Sequence, residues 1–393
     1  MPHRMPQPPS FLVAGAPTSV AASAYFILVV ACFTLQSFAT IALAWLVTVL
    51  ILLRHLPMLA QARGLERALL VIVTLVLTLS LPVAAVRSPT ALAHYAVALA
   101  MLGAAFLFTR DLDVYWRASR AVLVCLQAVV GVYLLFAGLR DFPLENMIPG
   151  SSSNGITSYL VLLQVNYCVA LFLRHQRIAW VTPVLTLAIC VVGFGRGSLI
   201  ASAAILMLGA TYWLLALRRL RIGLVLAGML LLLVFTLLGG WGDVRTLIEA
   251  HTKLGGGIYD QARASIILEY LSRLDAFGLL FGTGFEGTVI DTQFHDNPHN
   301  SLIRAHHIFG LAYLLLFLGL PWTVLGGARR WRDRLFLFAL FSVLVFRALT
   351  ETIVFPTLLD LFFFGICFAC RRAAGMANGP AVALPRALIH APQ

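Results

Sequence analysis

The sequence predicts an all-α fold: a polytopic integral membrane helix bundle of about twelve transmembrane helices, with one large external loop containing short helices. Three observations predict it. Hydrophobic residues make up 61% of the 393 residues and charged residues 11%, against about 25% charge in a soluble domain, so there is too little polar surface to face water. Apolar runs of membrane-spanning length recur along the chain. Basic residues gather in alternate connections between those runs, as the positive-inside rule requires. The organisation that follows is a bundle over 1–375, a large loop over 241–300 inserted between spans, and a loose cytoplasmic tail over 376–393.

In chain order, the apolar runs place spans at 12–34, 37–53, 68–86, 91–109, 121–139, 156–173, 179–195, 198–217, 222–240, 301–327, 335–352 and 355–370. The first pair reads either as one long hairpin or as a single tilted span. Twelve spans return both termini to one side. With that side cytoplasmic, nineteen of the 28 basic residues fall inside, in runs such as RRLR (218–221) and RRWRDR (329–334). The net charge of +12 is therefore a topology signal and a contact for anionic membrane lipids, with no nucleic acid needed to explain it. All six cysteines lie within or at the ends of spans, which argues packing rather than a disulfide framework or a metal pair.

Two external connections are longer than a helix hairpin needs: the Pro/Gly/Ser-rich 140–155 and the large loop. Within the latter, YDQARASIILEYLSRL (259–274) has helical spacing, with Arg263, Ile267, Tyr270 and Leu274 on one face. FGTGFEG (281–287) reads as a turn. Ten of the sixteen acidic residues also lie outside, which makes the outer face the chemical one.

Ionisable groups near membrane depth are costly and mark candidate sites. Arg196 stands between Gly195 and Gly197 at the outer end of two spans, where a planar guanidinium can fork onto phosphate oxygens or simply snorkel to the interface. Arg263 rides the loop helix, where a lone arginine is commonly a solvated face residue. DNPHNSLIRAHHIFG (296–310) gathers His299, Asn300, Arg304, His306 and His307 at the mouth of an apolar run. A helix running from His299 puts 299, 303 and 306 on one face, with His299 nearest water and able to accept a proton from a hydroxyl nucleophile. The alternatives are a hydrogen-bonded structural histidine, or a metal cluster with His295 whose spacing matches no compact zinc pattern. Arg347 and Glu351, four apart on one face, form with Asp360 an expected structural ion-pair group within the bundle.

HNSLIRAHHIFGLAY (299–313) holds His, Asn, nine residues, Gly310, two residues and Tyr313. This resembles the signature of bacterial O-antigen ligases, His-[Asn/Ser/Gln]-x9-Gly-x-x-[Gly/Thr/Tyr], and is similar to the O-antigen and exopolysaccharide polymerases of the same superfamily. GRGS (195–198) resembles that family's arginine-led span start. RASIILEYL with FGTGF (263–271 and 281–285) resembles its loop helix and glycine turn. The similarity covers 190–320, about a third of the chain. Two positions depart from the pattern: Gly195 stands where serine is common before the first arginine, and Ile267 where leucine follows the second. SSSN (151–154) leans toward polymerases and Tyr313 toward ligases, leaving the two open.

The resemblance implies a glycosyltransferase of the bacterial inner membrane. Both termini would be cytoplasmic and the active site would face the periplasm. A glycan would move from undecaprenyl diphosphate to a sugar hydroxyl, on lipid A core or on a growing glycan, with inversion and without metal or other cofactor. His299 would be the general base, Arg196 and Arg263 would clamp the diphosphate, and Asn300, Arg304, His306 and His307 would orient the site or bind acceptor. A lipid-linked glycan flippase or a non-catalytic envelope-assembly subunit are the competing readings. A flippase would line a midplane path with its charges, whereas here they gather at one face.

Overall fold

A computed structural model describes residues 17–35, 37–88, 90–137, 143–148, 153–193, 195–216, 261–294, 296–328 and 330–378. These residues form helices and connections with no strand among them. Among the described residues, six helices are long and apolar enough to cross a membrane, and three shorter apolar helices accompany them. The expected span at 222–240, the first part of the large loop, His295 and the tail from 379 lie outside the described residues.

The ambiguous N-terminal stretch is two helices, α1 (Ser19–Leu35) and α2 (Phe38–Arg54). Ser37 caps the second by accepting from the Thr40 amide at 3.1 Å, and the Tyr25 hydroxyl meets the Thr48 hydroxyl at 2.7 Å across the pair. After the short α3 (Leu56–Ala60) come α4 (Gly64–Arg87), α5 (Ala91–Phe108) and α6 (Leu112–Ala137). Of the 140–155 connection, Pro143–Asn146 forms a 3-10 turn that buries Leu144.

Helix α7 (Ser153–His175) is the axis of the bundle, and its apolar window is buried on every side. It packs on α6, on the hairpin of α8 (Val181–Val192) and α9 (Arg196–Ala216), and on the two C-terminal helices. A helix with its apolar window enclosed on every side needs internal partners for its mid-helix polar groups, and Gln164 and Asn166 find theirs on neighbouring helices. Gln164 donates to Thr182 Oγ1 at 3.1 Å and accepts from Thr186 at 3.0 Å, while Asn166 donates to Ser119 at 2.8 Å.

The loop contributes α10 (Gln261–Ser272), α11 (Ala276–Phe281) and α12 (Val289–Phe294). Their small core holds Ile266, Tyr270, Phe285 and Ile290 against Ile303. The expected face is corrected by one position: Ile266 is buried and Ile267 is 38% exposed, because the docking stripe follows an i, i+3, i+7 path from Arg263. Next comes α13 (Ser301–Gly319), interrupted at Gly310 and continued as 3-10 helix over Leu320–Gly326. The chain ends in α14 (Trp331–Ala348) and α15 (Asp360–Asn378). Both boundaries differ from the expected 335–352 and 355–370, and the shift leaves Glu351 in the 349–359 connection instead of on a helix.

Candidate functional site

The histidine at the mouth of α13 is not on the helix. Asn300 is the N-cap, its side chain accepting from the Leu302 amide at 2.8 Å and the Ile303 amide at 3.2 Å, so the helix starts at Ser301. The face shared by 299, 303 and 306 is therefore corrected. His299 precedes the cap in the left-handed region, φ 45°, following Asp296 at φ 62°. Such conformations are uncommon for residues other than glycine and persist where surroundings over-determine them. Here Asn297 Oδ1 accepts from the His299 amide at 3.0 Å and from the Thr352 hydroxyl at 3.0 Å, tying the turn to the 349–359 connection. Phe294 meets the His299 ring edge-on at 5.5 Å.

The turn aims the imidazole at Glu351. His299 Nδ1 lies 3.0 Å from Glu351 Oε1. An ionised carboxylate only accepts, so Nδ1 carries a proton, and in the neutral ring this tautomer puts the lone pair on Nε2. Arg263 Nη2 stands 3.7 Å from Glu351 Oε2 and Arg347 Nη2 stands 4.0 Å from it. Burial pushes the Glu351 carboxyl up, but the His299 hydrogen bond and the charges of Arg347 and Arg263 outweigh it and hold the group below its ordinary value. Glu351 is thus an ionised carboxylate, 7% exposed, between two guanidiniums and an imidazole. The Arg347–Glu351 pair expected from an i, i+4 face survives although the helix has ended. What the sequence reading missed is that Glu351 belongs to His299.

Arg347 is fully buried and joins the remaining parts. Its Nε donates to Ser198 Oγ at 3.0 Å, its Nη2 to the Asn154 carbonyl at 3.1 Å and to Ser158, and its Nη1 to Thr350. A side chain on Gly197 would meet Arg347 Nη1 at 3.2 Å. The Gly197 and Ser198 positions therefore flank Arg347, and Arg196 is half-buried at the start of α9. Gly195 is required by packing: a Cβ there would come within 2.3 Å of Thr157 Oγ1, which explains why serine is not found at this position. Asp360 is not part of the ion-pair group. It accepts from the Phe355 amide at 2.7 Å and the Thr357 amide at 3.1 Å, shaping the connection that carries Glu351.

His306 and His307 clasp the loop. The Leu279 carbonyl accepts from His306 Nε2 at 2.8 Å, and the Tyr270 hydroxyl lies 2.7 Å from Nδ1. His307 Nδ1 donates to the Thr283 carbonyl at 2.6 Å, and its ring stacks on Phe285 at 3.8 Å. At Gly310 (φ 74°) the helix gives way so that Leu280 and Phe281 can pass, and a Cβ there would sit 2.4 Å from the Leu280 carbonyl oxygen. Arg273 completes the clasp, donating to the Glu286 carbonyl at 2.7 Å and the Gly287 carbonyl at 3.0 Å. Arg304, one turn into α13, lies within electrostatic range of Asp360 and Tyr159. Among the described residues no three His, Cys, Asp or Glu side chains come together as a metal site would need.

Three segments far apart in sequence thus meet: 195–198, the loop helix with Arg263, and 297–310, linked through Arg347 and Glu351. Fold and site together define a helical protein with membrane-length apolar helices and a cation-rich histidine–carboxylate site at one end of its bundle. No family model and no curated protein matches this chain.

Proposed function

We propose that the protein is a membrane glycosyltransferase of the O-antigen ligase or polymerase type, twelve-span and with its site on the periplasmic side, moving a glycan from undecaprenyl diphosphate to a sugar hydroxyl. The observation that carries the reading is the His299–Glu351–Arg263 constellation, in which His299 and Arg263 come from segments whose sequences resemble that family and Glu351 from the 349–359 connection. His299 Nε2 takes the proton of the acceptor hydroxyl as its oxygen attacks the anomeric carbon. The bond from that carbon to the diphosphate oxygen breaks, and its electron pair leaves with undecaprenyl diphosphate. Glu351 holds the imidazole in the tautomer that leaves Nε2 free and stabilises the imidazolium that forms. Arg263, 26% exposed, and Arg196, half-buried, meet the charge that develops on the leaving diphosphate.

The separation of ligase from polymerase rests on acceptor dependence. Purified protein, with EDTA present, is given an undecaprenyl-diphosphate-linked glycan with and without lipid A core. Transfer that needs the core identifies a ligase, and lengthening on the carrier without core identifies a polymerase. Carrier that is left intact under both conditions would favour the flippase or assembly reading instead.

A further inference from the structure

The end of the bundle away from His299 carries a second cationic cluster. Helix α15 starts at Asp360, beside the Glu351 connection, and reaches Arg372 about 18 Å further along its axis. There Arg372 forks onto Glu66, Nε to Oε1 at 2.9 Å and Nη2 to Oε2 at 2.7 Å. Arg110 donates through Nη2 to the Met58 carbonyl at 2.9 Å. Both guanidiniums lie over the Phe106 ring, at 5.0 Å for Arg110 and 5.7 Å for Arg372. Arg63, at the N-cap of α4, adds a third positive charge in range of the same group.

Two donors in this cluster are buried without an acceptor among the described residues, Arg110 Nε and Arg372 Nη1. The fork on Glu66 uses the Nε side of Arg372, so Nη1 lies on the far side of the guanidinium from the one carboxylate present. A buried, unpaired N–H is costly, and three arginines against one glutamate leave an excess of positive charge. Burial, then Arg372, and with Glu66 opposing them Arg63, lower the Arg110 guanidinium below its ordinary value. The sequence assigns these arginines to the cytoplasmic side, at headgroup depth.

We propose that Arg63, Arg110 and Arg372 form a binding site for a phosphate group, which supplies the missing acceptors. A planar guanidinium fork suits phosphate oxygens, and the buried Phe106 ring holds the Arg110 and Arg372 guanidiniums side by side. The phosphate is that of an anionic phospholipid headgroup or of a soluble phosphate ion.

The test uses full-length protein in phosphatidylcholine nanodiscs, titrated with phosphatidylglycerol or with inorganic phosphate and read by bound stoichiometry and by the midpoint of thermal stabilisation. A saturable effect of phosphatidylglycerol alone identifies a headgroup site, and an equal effect of inorganic phosphate identifies a soluble-anion site. Arg110→Gln and, independently, the exposed Arg63→Gln each weaken binding about five-fold, the change expected for one arginine beside a charged surface. Glu66→Gln, which removes the competing carboxylate, tightens it. Arg120→Gln, an exposed arginine on α6, leaves it unchanged. Absence of saturable binding, or equal weakening by Arg120→Gln and Arg63→Gln, would overturn the proposal.

Discussion

Replacing Gly310 with alanine tests how the loop is seated on α13. At φ 74° and ψ −169° the residue occupies a region open in practice to glycine alone, which costs another residue about 1–3 kcal/mol. The new Cβ would lie 2.4 Å from the Leu280 carbonyl oxygen, 2.7 Å from Phe281 Cα and 2.9 Å from the Phe281 carbonyl carbon. All three are backbone atoms, so the turn itself must retreat; overpacking of this kind costs about 1–3 kcal/mol more. The sum, roughly 2–6 kcal/mol, rivals the stability of a whole small domain. The cheaper escape is local: α11 and the glycine turn lift off while the bundle stays folded. Because Tyr270 on α10 is held by His306, lifting the turn also loosens the helix that carries Arg263. Amide hydrogen exchange over 276–287 should therefore rise sharply in Gly310→Ala, with insertion and the protection of α7 unchanged. Unaltered protection of 276–287 would refute the reasoning.

Glu351→Gln leaves the fully buried Arg347 without its carboxylate, and breaking such a pair costs about 3–5 kcal/mol; thermal unfolding in detergent checks this. The folded Glu351 titrates below its unfolded value, so its contribution to stability is complete above the ordinary carboxylate range and is lost as pH falls through the folded value. The stability difference between wild type and Glu351→Gln should then shrink on acidification, and a constant difference contradicts it. Gly195→Ser should destabilise by about 1–3 kcal/mol through its clash with Thr157. Thr157→Ala in the same chain should recover much of that, giving a coupling energy that an uncoupled pair would lack. His307→Ala should raise exchange at 281–285, where Thr283 loses its donor and Phe285 its stacking partner.

The class of the fold was legible because membrane-length apolar runs and clustered arginines are local signals. Helix ends were less so. The shift of α14 and α15 depends on Asp360 organising the 349–359 connection, a set of backbone contacts that no periodicity records. Among site residues, His299, Arg196 and Arg263 stood out as charges at the outer ends of apolar segments. Glu351 was visible as an ionisable group but was given to Arg347, its neighbour in sequence, because its bond to His299 spans 52 positions. His306 and His307 looked like further chemistry for the same reason that they are conspicuous: polar groups entering an apolar helix. Their partners are main-chain carbonyls of the loop, and composition cannot reveal those.

The glycosyl-transfer account is tested most directly by the release of undecaprenyl diphosphate from a carrier-linked glycan, comparing purified wild type with His299→Gln at equal insertion and equal thermal stability. The account predicts acceptor-dependent release by wild type and loss of at least about a hundred-fold of the rate when the base is removed. Equal release by the two proteins, or none by wild type with either acceptor, would contradict it.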